Sequence, residues 1–172
     1  NANGTEGLYV ANKEGAAVLS RATAKALGTK DRGPKLRTNL MFTNMSKSAI
    51  ILEICFVTSS SDANKYKNNF DKLCYAIAFA AARMVSKGAI KSDTFKVTGG
   101  NASSISSFLK DDVESIDLSG VSLETYQGDG SSSSSQVMAS GSSEDDGFIV
   151  TYGGGLVVID KKPIAETYAE PI

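Results

Sequence analysis

Histidine is absent from all 172 residues. Any metal or proton chemistry in which this chain takes part must therefore proceed without an imidazole of its own. Cysteine is scarce. Cys55 and Cys74 lie far apart, lack a Cys-x-x-Cys spacing and each sit in an apolar segment. That pattern reads as two buried, unpaired thiols rather than as a disulfide or a metal site. Long apolar runs are missing too. The longest, Ala49 to Val57 and Ala76 to Ala82, fall far short of the roughly 20 residues that a membrane-spanning helix needs. Neither sign of charge dominates, since the formal net charge is -1. With no basic stripe in view, nucleic acid is not an expected partner.

A hydrophobic content of 41% suits one globular domain of ordinary size with an appendage. Leu8-Tyr9-Val10 is a short strand candidate. Asn12 is placed to cap a helix running to about Leu27, in which Ala16, Leu19, Thr23, Ala26 and Leu27 recur at helical spacing and which Gly28 ends. Asp31-Arg32-Gly33-Pro34 reads as a turn, and Leu40-Met41-Phe42 as a second strand candidate. Ala49 to Val57 is the clearest strand. Its apolar residues would face both ways, as in a central strand covered by helices. Asp62 then caps a helix reaching about Lys87, with Tyr66, Phe70, Leu73, Ile77, Ala81 and Met84 as its core stripe and Gly88 as its stop.

Beyond Gly88 the pattern weakens. Thr94 to Thr98 reads as a strand, and Asn101 as the cap of a short helix holding Ile105, Phe108 and Leu109. Residues 128–147 are rich in Ser and Gly and read as a linker. Phe148 to Tyr152 and Leu156 to Asp160, around Gly153-Gly154-Gly155, read as a β-hairpin. The expected organisation is an α/β domain over residues 1–90, a connecting segment 91–127, the linker 128–147 and a hairpin tail 148–172 suited to assembly contacts. The expected sheet is mixed or parallel and flanked by helices.

Glu53 is the sharpest chemical signal. A carboxylate within an apolar strand is costly unless it is paired or coordinated. Partial desolvation would also raise its basicity toward what proton transfer near neutral pH requires. Its place near the C-terminal end of the strand agrees with where α/β sheets gather their sites. Two plainer readings stand beside this one: a salt bridge to Arg32 or Lys35, or a glutamate facing solvent at a sheet edge.

The segment Ile50-Ile51-Leu52-Glu53-Ile54-Cys55-Phe56-Val57-Thr58, followed by Asp62-Ala63, resembles a signature of the zinc-dependent N-acetylmuramoyl-L-alanine amidases. Asn1-Ala2 with Gly4-Thr5-Glu6 is similar to the end of that family's Ser-x-His-x-Asn-Ala…Gly-x-Glu motif. Asp31-Arg32-Gly33-Pro34-Lys35 is similar to its Arg-Gly-Val-Lys turn. Each motif alone is weak, and their shared order over residues 1 to about 87 carries the likeness. Three positions depart from the pattern: Cys55 stands for a glycine, Ser59 for an asparagine and Ser48 for a proline.

The resemblance implies a peptidoglycan hydrolase of the bacterial autolysin or phage lysin type, acting outside the cytoplasmic membrane, in the extracellular space or cell wall. It would cleave the amide between the lactyl group of N-acetylmuramic acid and L-alanine. Zinc would be the cofactor, with Glu53 as the catalytic general base and acid. Arg32 and Lys35 would contact substrate carboxylates, and Asn1 would orient a zinc-bound histidine from the second shell of the metal. Glu6 is read as structural rather than as a ligand. No zinc ligand is assigned in this chain, so the ligands are expected from an N-terminal half of the same gene product. The alternative is a non-catalytic wall-binding or virion-associated component, for example of a phage tail, that keeps the amidase-like fold and uses residues 91–172 for virion or oligomer contacts.

Overall fold

The computed structural model describes residues 2–41 and 47–123, together with the backbone of strands at Met138–Ser140, Gly147–Tyr152 and Gly155–Asp160. Two compact units are present, Asn1–Thr125 and Tyr126–Ile172.

The first unit is α/β, built on a three-stranded mixed sheet in the order β2-β1-β3. Strand β1 spans Thr5–Tyr9, β2 Asp31–Leu36 and β3 Ile50–Glu53. β1 pairs parallel with β2 and antiparallel with β3. Helix α1, Lys13–Leu27, makes the parallel crossover. Its ends follow the sequence signals. The Asn12 side chain accepts from Gly15 N at 3.0 Å, and Gly28 adopts a left-handed φ of 67°. Its buried surface is broader than one stripe. Ala16, Val18, Ser20, Ala22, Thr23, Ala24, Ala26 and Leu27 are all buried, because α1 lies between the sheet and α3.

The turn expected at Asp31 to Pro34 instead lies within β2. Gly33 is the physical reason. It sits at φ 71° beside a register shift, where Thr5 pairs with Asp31 but Glu6 pairs with Gly33. This bulge makes a turn-like sequence compatible with a strand. The strand expected at Leu40 to Phe42 does not form at Leu40 and Met41, and Phe42 lies outside the described residues.

The expected strand Ala49 to Val57 is shortened to Ile50–Glu53, and it is an edge strand, not a central one. The ladder stops because the Ile54 carbonyl accepts from Thr5 Oγ1 at 2.7 Å instead of from a strand neighbour. Val57, in the expected core, is 87% exposed.

One helix was expected after this strand, and two form: α2, Ser60–Asn68, and α3, Phe70–Val85. The cap of α2 is Ser59, whose hydroxyl accepts from Asp62 N at 3.3 Å. Asp62 instead turns its carboxylate back to Gly4 N at 2.7 Å and so anchors the approach to β1. The break at Asn69 rotates the buried face of α3. Leu73, Ala76, Phe79, Ala80 and Met84 are buried, while Ile77 and Ala81 are only half-buried. The alanines let α3 approach α1 closely. Cys55 and Cys74 are half-buried rather than buried and are not joined in a disulfide.

Residues beyond 90 belong to the same unit, so the boundary expected there falls inside it. Helix α4, Ala102–Phe108, continues into a π-helical turn at Leu109–Val113 that packs on α3 and α1 through Leu109 and Val113. Asn101 precedes α4 without a side-chain capping bond. The buried Arg83 donates from Nη1 to the carbonyls of Val113 and Ile116, at 3.0 and 3.3 Å. Thr94 to Thr98 form no strand. They lie along the helices instead, with Phe95 against the Phe79 ring at 5.0 Å and the Tyr75 hydroxyl bonded to Thr98. Among the described residues no helix is long and apolar enough to cross a membrane.

In the second unit β4 (Met138–Ser140), β5 (Gly147–Tyr152) and β6 (Gly155–Asp160) form an antiparallel sheet in that order. β4 lies within the stretch expected as linker, whose residues 128–137 and 141–146 are outside the described set.

Candidate functional site: a clamped carboxylate pair

Side chains alternate across a sheet. On β1, Gly7 faces α1. A Cβ there would meet the Ala16 carbonyl oxygen at 2.5 Å, so the helix lies almost on the strand. Glu6 and Leu8 point to the opposite face. β3 adds Glu53 directly opposite Glu6, and Ile51 opposite Leu8. On β2 the bulge at Gly33 has a chemical result. Arg32 and Lys35 are three positions apart and would lie on opposite faces of a regular strand. Arg32 is itself the extra residue, between Asp31 opposite Thr5 and Gly33 opposite Glu6, and both it and Lys35 reach the Glu6 face. Arg32 Nε lies 2.6 Å from Glu6 Oε2, and Lys35 is registered beside Leu8.

The buried glutamate of this sheet is therefore Glu6, 5% exposed, whereas Glu53 is exposed at the sheet edge. Of the two plainer placements open for Glu53, the solvent-facing edge position is the one found. The salt bridge expected for a buried carboxylate exists, but on its neighbour. The Phe56 ring supports the clamp from the segment after β3, with the Arg32 guanidinium 5.1 Å from its centroid.

The two carboxyls are driven apart. Burial would raise Glu6, but the hydrogen bond and charge of Arg32, a hydrogen bond with Glu53 and the charge of Lys35 outweigh it and hold Glu6 below the ordinary glutamate value. Glu53 moves above that value, through partial desolvation first and then through the charge and hydrogen bond of Glu6, against the pull of Arg37 and Arg32. Its exposure means that solvent tempers these effects. Two acids whose environments separate their proton affinities are suited to divided labour, one staying ionised and the other carrying a proton.

Of the residues singled out from sequence, Glu53, Arg32 and Lys35 share this face, and Asn1 lies outside the described residues. Glu6 and Phe56 are additions to the functional set. An acidic residue heading the apolar run Leu8-Tyr9-Val10 was the available signal for Glu6. Arg32 is engaged with Glu6, so its principal contact is within the protein rather than with a ligand.

The chain's own donors do not fit a zinc ion. There is no histidine, Glu6 is taken up by Arg32, and among the described residues no group of three or more Cys, Asp or Glu side chains converges on one point. No chemical step through a metal follows from these residues. No protein-family model matches the chain, and neither does any curated protein sequence.

Proposed function

We propose that this chain supplies the proton-transfer glutamate of a peptidoglycan hydrolase that cleaves the amide between N-acetylmuramic acid and L-alanine. The carrying observation is the opposed pair itself: Glu6 buried and clamped by Arg32, with Glu53 directly across the ladder and open to solvent. Glu53 takes a proton from the attacking water as oxygen bonds to the amide carbon. It returns that proton to the leaving nitrogen as the carbon–nitrogen bond breaks, which restores the carboxylate. The face also carries Arg32 and Lys35, with Arg37 close enough to act on Glu53. These cations suit a substrate whose stem peptide bears carboxylates, with Lys35 as the principal contact and Arg32 as a lesser one. In this reading the zinc implied by the sequence resemblance is held by histidines of a separate N-terminal segment of the same gene product. The location is extracellular or in the cell wall.

A second reading favours a non-catalytic wall-binding or virion component. The exposure of Glu53 and Cys55 in place of the family's glycine speak for it, and an antiparallel sheet in the second unit offers material for assembly contacts.

The test joins this chain to the segment encoded upstream and measures zinc content and release of L-alanyl peptides from purified peptidoglycan. Glu53→Gln should retain zinc and lower turnover by about 10²-fold or more. Unchanged turnover removes Glu53 from its role. An assembly that holds no zinc and releases no peptide removes the hydrolase reading.

A further inference from the structure

Glu6 occupies an unusual position for a side chain that touches no ligand. It is nearly fully buried, ion-paired at 2.6 Å and directly across the antiparallel ladder from the exposed Glu53. Directly opposed residues bring their Cβ atoms within about 4.5–5.5 Å, which puts the two carboxyls within reach of one another. Like charges so placed repel unless one proton lies between them. We propose that Glu6, clamped by Arg32, is a positioning residue that orients the Glu53 carboxyl and accepts a hydrogen bond from it whenever Glu53 is protonated. This deepens the hydrolase reading and rests on it for its catalytic meaning.

The arrangement assigns a direction to the proton. Arg32 and Lys35 keep the negative charge on Glu6, so the shared proton belongs to Glu53. During hydrolysis Glu53 is protonated between water attack and departure of the amine. In that interval Glu6 is the acceptor that steadies the loaded acid. The groups facing Glu53 are Glu6 from β1, Arg32 from β2 and Arg37 just beyond β2. Phe56 holds the guanidinium from the side of β3.

The experiment is a carboxyl ¹³C NMR titration of the full 172-residue chain, with Glu53 assigned by the signal lost in Glu53→Gln. In the wild type the Glu53 resonance should titrate above an ordinary exposed glutamate and carry a second inflection where Glu6 titrates. Glu6→Gln should move the Glu53 midpoint down and erase that inflection. A single-step Glu53 curve at the ordinary value in the wild type overturns the proposal. So does a midpoint unmoved in a folded Glu6→Gln chain. Should that variant not fold, the wild-type curve decides alone. In the active assembly, Glu6→Gln should shift the acid limb of the pH–kcat profile to lower pH, whereas a merely structural role would lower kcat with the limb unmoved. The titration needs no turnover. Coupled titration without peptide release supports this proposal and removes the hydrolase reading, and ordinary titration with peptide release does the reverse.

Discussion

The two faces of the three-stranded sheet are built on opposite terms. On one, α1 lies against β1 with no room for a methyl group at Gly7, and α3 packs on α1, its Phe79, Ala76 and Leu73 each at most 1% exposed. On the other, alternate residues of the same strands carry Glu6, Glu53, Arg32 and Lys35. The closed face makes the strands rigid, and the charged face uses that rigidity to hold carboxyls at set distances. Sites mounted on packed strands keep their geometry better than sites on loops.

The comparison can be broken most severely from the closed side. Phe79→Ala should cost about 3–5 kcal/mol in urea unfolding, because a fully buried aromatic leaves a cavity beside Phe95. A loss below 1 kcal/mol would mean that this side is not closed. Gly7→Ala should cost about 1–3 kcal/mol, since the new methyl meets the backbone of α1 rather than a movable side chain. The same unfolding curve checks it.

The smallest effect should have the opposite sign. Glu53→Gln removes a like charge opposite Glu6 and should stabilise the chain at neutral pH by about 0.2–1 kcal/mol. The sign follows from linkage. The folded chain holds the Glu53 proton above the pH at which the unfolded chain releases it, so stability falls as pH rises through that interval. Glu6 works the other way. Its contribution is present above the unfolded value and is lost as pH falls through the depressed folded one. Stability of Glu53→Gln measured at mildly acid and at neutral pH should therefore show a gain confined to the higher pH. A stabilising substitution at the proposed proton-transfer residue is the signature of a site that sacrifices stability for chemistry.

Local signals were the legible part of this fold. Asn12 and Gly28 bound α1 as expected, since caps act within one turn of chain. What escaped was set by distant partners. β3 ended early because a threonine 49 positions away captured its next carbonyl. The long helix broke at Asn69, and the second piece, α3, packs on α1. The bulge at Gly33 disguised a strand as a turn. At the site, the principle that a buried carboxylate must be paired held, but for Glu6 instead of Glu53. An apolar run shows that a strand forms, but not whether that strand is central or at an edge, so burial could not be assigned between two glutamates on neighbouring strands.

Arg83 sets the minimum length at which the first unit can be produced as an intact piece. Its guanidinium is closed in by Val113 and Ile116, whose carbonyls it caps, and its Nε has no partner among the described residues. A chain cut at residue 90 to match the sequence resemblance would strip that cover. It would leave the cation beside a newly bared apolar flank of α3. Trimming for expression or crystallisation should therefore keep the chain through Ile116, even though the residues added by that choice carry none of the proposed chemistry.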